Sequence, residues 1–239
     1  MKKIIRNIIA ISAISVSIGF SGAYAQDATP AAEPAENTCE SNLDLKLDVV
    51  SSYVWRGLNF GTGPAFQSTF EYTSGYFTFG VWSNINTGSD QAFEADLYAS
   101  YELPGGLTVG LTDYYLGGNY FGVNFENIAK THSIEPSITY DYGKLTFFGA
   151  LMFMEGKTSD FYGEIKYGFE KFDFAIGAGE GQYTENPVYG NGGDFAICNL
   201  TISKEKEIKI TDKFSLPMKG GVTLNPSTER FYAYVGITF

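Results

Sequence analysis

The spacing of the connections constrains this chain more than any single motif. Side chains alternate faces along a strand, and apolar–polar alternation recurs through residues 42–239. Phe93, Ala95, Leu97, Ala99 and Tyr101 oppose Glu94, Asp96, Tyr98, Ser100 and Glu102. Leu43, Leu45, Leu47 and Val49 oppose Asp44, Lys46 and Asp48. Ile134, Ile138 and Tyr140 oppose Glu135, Ser137, Thr139 and Asp141, and the same holds for Phe172, Phe174 and Ile176 against Asp173, Ala175 and Gly177. This period predicts about twelve strands, near 43–55, 65–73, 76–83, 92–102, 107–115, 132–142, 145–154, 160–169, 172–180, 194–210, 214–224 and 230–239. Tight turns at 73–75, 104–106, 142–144, 170–171 and 211–213 alternate with longer loops at 56–64, 84–91, 116–131, 155–159, 181–193 and 225–229. Short turns at one end and long loops at the other define an all-β, antiparallel, up-and-down transmembrane barrel with both termini at the short-turn end. The competing architecture, a soluble Greek-key sandwich, has no reason to keep that order.

The amino terminus agrees with export. Lys2, Lys3 and Arg6 precede an apolar run from Ile8 to Phe20, and Ala23-Tyr24-Ala25 supplies a small-x-small cleavage pattern. Residues 1–25 therefore read as a cleaved signal peptide, too short in its apolar run to span a bilayer as a helix. Residues 26–41 are rich in Ala, Pro, Glu and Thr and read as a flexible periplasmic linker. Residues 42–239 form the barrel domain, placed in the cell outer membrane of a Gram-negative bacterium. Cleavage leaves 13 of the 16 basic residues against all 27 acidic ones, which disfavours nucleic acid as a partner. Of the two cysteines, Cys39 lies in the linker and Cys198 in a strand; pairing is permitted by an oxidising compartment but is the less favoured reading.

The last strand carries a second signal. Phe231, Ala233, Val235, Ile237 and Phe239 share one face and end the chain on an aromatic residue. This resembles the closing strand of outer-membrane barrels, and the resemblance implies that it is the signal read by the barrel-assembly machinery. Tyr53, Phe66, Tyr72, Tyr76, Tyr101, Tyr142, Phe161 and Phe169 lie near strand ends and suit interfacial aromatic girdles facing outer-membrane lipid. Two features sit badly with a regular barrel. Pro136 falls within a strand paired on both sides and demands a bulge or ladder break. Lys204 and Lys206 share the parity of Cys198, Leu200 and Ile202, so either they lie beyond the hydrocarbon, close to the turn at 211–213, or the strand is shorter than 194–210.

Parity sends Asp44, Asp48, Glu71, Glu94, Asp96, Glu135, Asp141, Glu164 and Asp173 into the lumen, offset by Lys46, Arg56 and Lys166. Acidic rings favour cation passage, and twelve strands enclose a narrow interior. The expected function is a narrow, cation-tolerant channel for small solutes. The alternative is a non-conducting structural or surface-interaction barrel with its lumen plugged by side chains and binding in the long loops.

The segments Val50-Ser-Ser-Tyr-Val-Trp-Arg-Gly57, Gly63-Pro-Ala-Phe-Gln67, Ser74-Gly-Tyr-Phe-Thr-Phe-Gly-Val-Trp-Ser-Asn84 and Phe93-Glu-Ala-Asp-Leu-Tyr98 resemble the Gcw_chp family, also called TorF-type porins. The resemblance implies an outer-membrane barrel with a pore role and supplies no solute. The long strand near 194–210 and the loop with Asn225-Pro226 depart from the family's shorter pattern. Arg56 either projects into the pore as part of a constriction or pins loop one by bonding carbonyls or a carboxylate; the following Gly57, a turn residue, favours the second.

No catalytic constellation is expected. Lipid-hydrolysing barrels place His and Ser two residues apart on one strand face. The single His132 is followed by Ser133, on the opposite face, and then by Ile134. One His and two distant Cys cannot supply a dedicated zinc site. Gly190-Asn-Gly-Gly-Asp194 reads as a flexible loop rather than a calcium turn, and no cofactor is implied.

Overall fold

The computed structural model describes residues 41–88, 93–116, 132–154, 159–185, 193–212 and 214–239. The leader, nearly all of the linker with Cys39, and most of loops 116–131 and 181–193 lie outside the described residues. The strands are β1 (Ser41–Val50), β2 (Tyr53–Trp55), β3 (Leu58–Phe60), β4 (Ala65–Ser74), β5 (Phe77–Asn86), β6 (Phe93–Leu103), β7 (Leu107–Leu116), β8 (His132–Tyr142), β9 (Leu145–Met154), β10 (Asp160–Gly168), β11 (Asp173–Gly179), β12 (Ala196–Thr211), β13 (Phe214–Asn225) and β14 (Arg230–Thr238). Twelve of them close into an antiparallel barrel in sequence order, with β14 paired to β1; β2 and β3 form a separate hairpin. The sandwich alternative is excluded.

The first strand is shorter than its residue pattern predicts. It spans not 43–55 but 41–50, and the chain then turns inward to build the β2–β3 hairpin. Seam closure is short. Asp48, Val49 and Val50 pair with Thr238, Ile237 and Gly236, and Leu47 and Phe239 exchange backbone hydrogen bonds of 3.0 and 2.9 Å. Residues 41–46 of β1 pair with β4 alone.

The distribution of side chains is inverted relative to a soluble protein. Leu43, Leu45, Phe70, Phe79, Leu111, Ile138, Leu151, Ile165, Ile202, Val222 and Val235 are exposed on the outside of the wall. The polar halves of the same strands point inward. Phe231 and Phe239 are exposed on the outward face they share with Ala233, Val235 and Ile237. Among the aromatics suited to girdles, Phe66, Tyr72, Tyr76, Tyr101, Tyr142, Phe161 and Phe169 are exposed, but Tyr53 is buried in the lumen.

Both irregularities resolve locally. Pro136 pairs with Leu111 on the β7 side, while the β8–β9 ladder skips from Ile134 to Ser137, so the missing N–H falls at a ladder break. The β11 ladder on β12 ends at Ser203, and residues 204–211 pair with β13 alone. Lys204 Nζ reaches the Glu170 carbonyl, in the β10–β11 turn, at 3.3 Å. The lysines therefore sit on a hairpin that runs past the short-turn rim. Cys198 does not share the outward face of Leu200 and Ile202. It is the unpaired residue of a bulge opposite Gly177 and Ala178, is fully buried, and keeps a free thiol.

Candidate functional site in the lumen

The lumen is filled rather than open. Each of the twelve barrel strands contributes at least one inward side chain that is 7% exposed or less, from Val50 on β1 to Tyr234 on β14. Its core is a cluster of Val50, Tyr53, Val54, Trp55, Trp82, Tyr98, Tyr114, Met152, Tyr162, Tyr183 and Tyr234, with Phe148 packed against it. The β2–β3 hairpin inserts into this cluster, and all three residues of β2 are buried.

A two-residue turn, Arg56-Gly57, links β2 to β3 with φ of 47° and 81°. Both values are left-handed, as in the tight primed hairpin turns that normally take Asn, Asp or Gly. An arginine there costs roughly 1–2 kcal/mol of backbone energy. What offsets that cost is the side chain. Arg56 Nη1 and Nη2 donate to the two oxygens of Glu135 at 2.6 and 2.8 Å, a forked pair, and Nη1 also donates to Tyr183 Oη at 2.9 Å. The guanidinium lies over four rings: Trp55 at 4.5 Å, Tyr162 at 4.7 Å, Phe148 at 4.8 Å and Tyr183 at 5.8 Å. Tyr114 donates to Glu135 at 3.1 Å from the other side. Burial pushes the Tyr183 phenol up to about 12, keeping it neutral.

Tyr183 is placed by a short 3-10 turn, Gly181–Tyr183, whose Gln182 N–H donates to Asp160 at 3.0 Å. Asn225 ties this turn to the hairpin. Its Nδ2 donates to the Gly57 carbonyl at 3.2 Å and the Tyr183 carbonyl at 3.0 Å, and its Oδ1 accepts from the amides of Ser227 and Thr228. On the long-loop side of the hairpin lies a cavity of about 480 Å³ lined by Leu58, Asn59, Phe60, Gln182, Glu185, Thr228, Arg230 and Tyr232.

The acidic residues expected in the lumen separate into two levels. Toward the short-turn end, Asp44 pairs with Lys46 at 2.8 Å, and Asp48 accepts from Lys219 and Thr238. Glu71 accepts from Tyr98 at 2.7 Å. Glu164 takes Tyr162 and, at 2.8 Å, Asn199. Lys166 is half-buried within the field of Asp173, Glu164 and Asp141, and Asp141, bonded by Thr146, is exposed at the rim. These groups form a solvated acidic vestibule. Deeper in, Glu94, Asp96 and Glu135 are buried. Glu135 has Arg56, and Glu94 has the Tyr53 hydroxyl. Asp96 has no such neighbour. The Tyr115 backbone N–H acts on it weakly, but neither oxygen has a partner at hydrogen-bond geometry.

A buried carboxylate with no donor beyond a poorly placed backbone N–H costs folding free energy that its neutral isostere avoids in part. Asp96→Asn is expected to raise the unfolding free energy by about 1–3 kcal/mol, measured by urea titration of the refolded protein. A lowered midpoint would mean that Asp96 has a partner in solution.

Both readings of Arg56 contain part of the answer. It lies in the lumen and it pins loop one, but through Glu135, 79 residues away, rather than a local group. Sequence reasoning missed the inserted hairpin, Tyr183 and Lys219. One signal was present: Leu58 and Phe60, in the expected loop 56–64, are too apolar for a solvated loop. His132 begins β8 and is bonded through Nδ1 to Asp113 at 2.9 Å, its ring tilted against Tyr115 at 4.8 Å, on the outward-facing set of the wall. Among the described residues no group of three or more His, Cys, Asp or Glu could hold a metal.

These features define a twelve-stranded antiparallel barrel with an arginine-latched hairpin inside it. The chain belongs to the Gcw_chp family: the family model, described as a bacterial protein of unknown function, matches residues 34–207. No curated protein matches the chain.

Proposed function

We propose that this protein is an outer-membrane barrel serving as a narrow channel for small cationic solutes, closed at rest by the β2–β3 hairpin. The observation that carries the reading is the inverted wall, with an exposed apolar exterior and a polar, acid-rich interior. A closed sheet with oily residues outside is what a bilayer demands of strands. In this orientation the long loops and the hairpin's entry are extracellular, and the acidic vestibule opens to the periplasm. Cation preference follows from the excess of carboxylates over Lys46, Lys166 and Lys219 there.

One feature favours a hairpin that can leave. The Trp55 Nε1–H is buried without an acceptor, a cost that belongs to the seated state alone. The second reading, a permanently plugged structural barrel, is favoured by the ring of buried lumenal residues contributed by every strand. The reading includes no catalytic role, since the His132–Asp113 pair faces away from the lumen and residue 134 is Ile.

Planar-bilayer recording of refolded protein separates the two. The channel reading expects rare, discrete, cation-selective openings that become frequent when residues 52–62 are replaced by a short Gly-Ser linker. A folded barrel silent in both forms leaves the structural reading standing. Membrane placement has its own test. Leu111→Arg, near the middle of an outward row, should cost about 2–4 kcal/mol in lipid vesicles. The same change in a protein that does not face lipid would cost almost nothing at so exposed a position.

A further inference from the structure

We propose that the cage around Arg56 is a recognition site for free solutes ending in a guanidinium group, which the hairpin's own arginine occupies while the barrel is closed. The proposal deepens the channel reading by naming its solute class, but binding itself does not require conduction.

The cage matches one chemistry closely. A forked carboxylate, Glu135, meets two parallel N–H groups, and Tyr183 Oη takes a third. Aromatic faces stack on the flat cation at 4.5–5.8 Å. Planar forked donors with weak hydration fit this arrangement, and a compact ammonium does not. The hairpin supplies only Trp55 and the arginine. Glu135 belongs to β8, Phe148 to β9, Tyr162 to β10 and Tyr183 to the turn after β11. Two rings, the carboxylate and its Tyr114 donor therefore remain in the wall when the hairpin moves, and Tyr183 stays on a turn bonded to Asp160 of β10. Departure of Arg56 would leave Glu135 buried among aromatic faces without a counter-charge, so a replacement cation is favoured in its place. A guanidinium solute and the hairpin then compete for one seat. Glu71, Glu164 and Asp173 line the vestibule on the other side of the cage and draw cations toward it.

Arg56→Gly empties the seat and suits the left-handed turn. Refolded Arg56→Gly in detergent is heated with tens of millimolar methylguanidinium chloride, sodium chloride or methylammonium chloride. Methylguanidinium should raise the unfolding midpoint by several degrees, with little response to sodium and less to methylammonium. Arg56→Gly/Glu135→Gln should lose that response, its apparent affinity falling at least tenfold. If Arg56→Gly does not refold unaided, the yield of heat-modifiable folded band with each salt replaces the midpoint. Equal responses to all three salts, a response that survives in the double variant, or no gain in either readout would overturn the proposal. Bilayer recording of Arg56→Gly adds a separate arm: methylguanidinium should block current that methylammonium leaves intact. A midpoint shift with no current at all keeps the site and rejects the channel.

Discussion

Glu135→Ala is expected to unseat the hairpin and cost about 3–5 kcal/mol, because it strands the Arg56 guanidinium among aromatic rings with no counter-charge. The pair is almost wholly buried, with side chains 6% and 2% exposed, so solvent screening does little to soften the loss. Removing both partners should be milder than removing either. Arg56→Ala/Glu135→Ala deletes the stranded charge along with the bond, and the pairwise coupling appears as the difference between the double variant and the sum of singles. Glu135→Gln keeps an acceptor for one N–H and should fall between. The midpoint in urea reports stability, and bilayer conductance reports opening. If Glu135→Ala lies within about 1 kcal/mol of the parent, the latch contributes no more than a surface ion pair.

Gly57→Ala is the second large effect expected, and it acts on the backbone rather than on charge. Gly57 has φ of 81°, and a Cβ placed there would run into the Cys198 carbonyl oxygen in the β12 bulge. The left-handed conformation costs an alanine about 1 kcal/mol, and the overlap forces a backbone shift of about 1–3 kcal/mol more. Gly75 supplies the control. Its φ is 60°, it sits in the β4–β5 turn, and an added Cβ meets nothing within 4 Å. Gly75→Ala should therefore show the conformational cost alone. Equal losses at the two sites would mean that the hairpin turn does not rest against β12. A larger loss at Gly57, accompanied by increased conductance, ties the turn's fit to closure.

Much of the wall was legible from residue order. Alternation in Leu43–Val49, Phe93–Glu102 and Ile134–Asp141 fixed the outward and inward faces. The alternating short and long connections fixed the antiparallel order, and the ladder break expected at Pro136 is present. These are local matters. A strand's face pattern repeats every two residues, and a two-residue turn admits only an adjacent, antiparallel partner.

The site was legible only in fragments. Arg56 and Glu135 each stood out, one beside a turn glycine and the other in an inward row. Nothing in their separation of 79 residues announces that they share a forked bond. Period-two parity says which way a wall residue points, but it cannot say how far a loop reaches or what enters the space between facing strands. Tyr53 could belong to a girdle or a core by composition alone; closure of β14 onto β1 created the enclosed volume that took it. Residue order alone dictates a wall with two chemically distinct faces, because backbone geometry imposes that pattern residue by residue. The tertiary structure alone decided that the interior is plugged and latched. That outcome depends on non-local packing, with Phe148, Tyr162 and Tyr183 brought from separate strands and a turn around one buried cation.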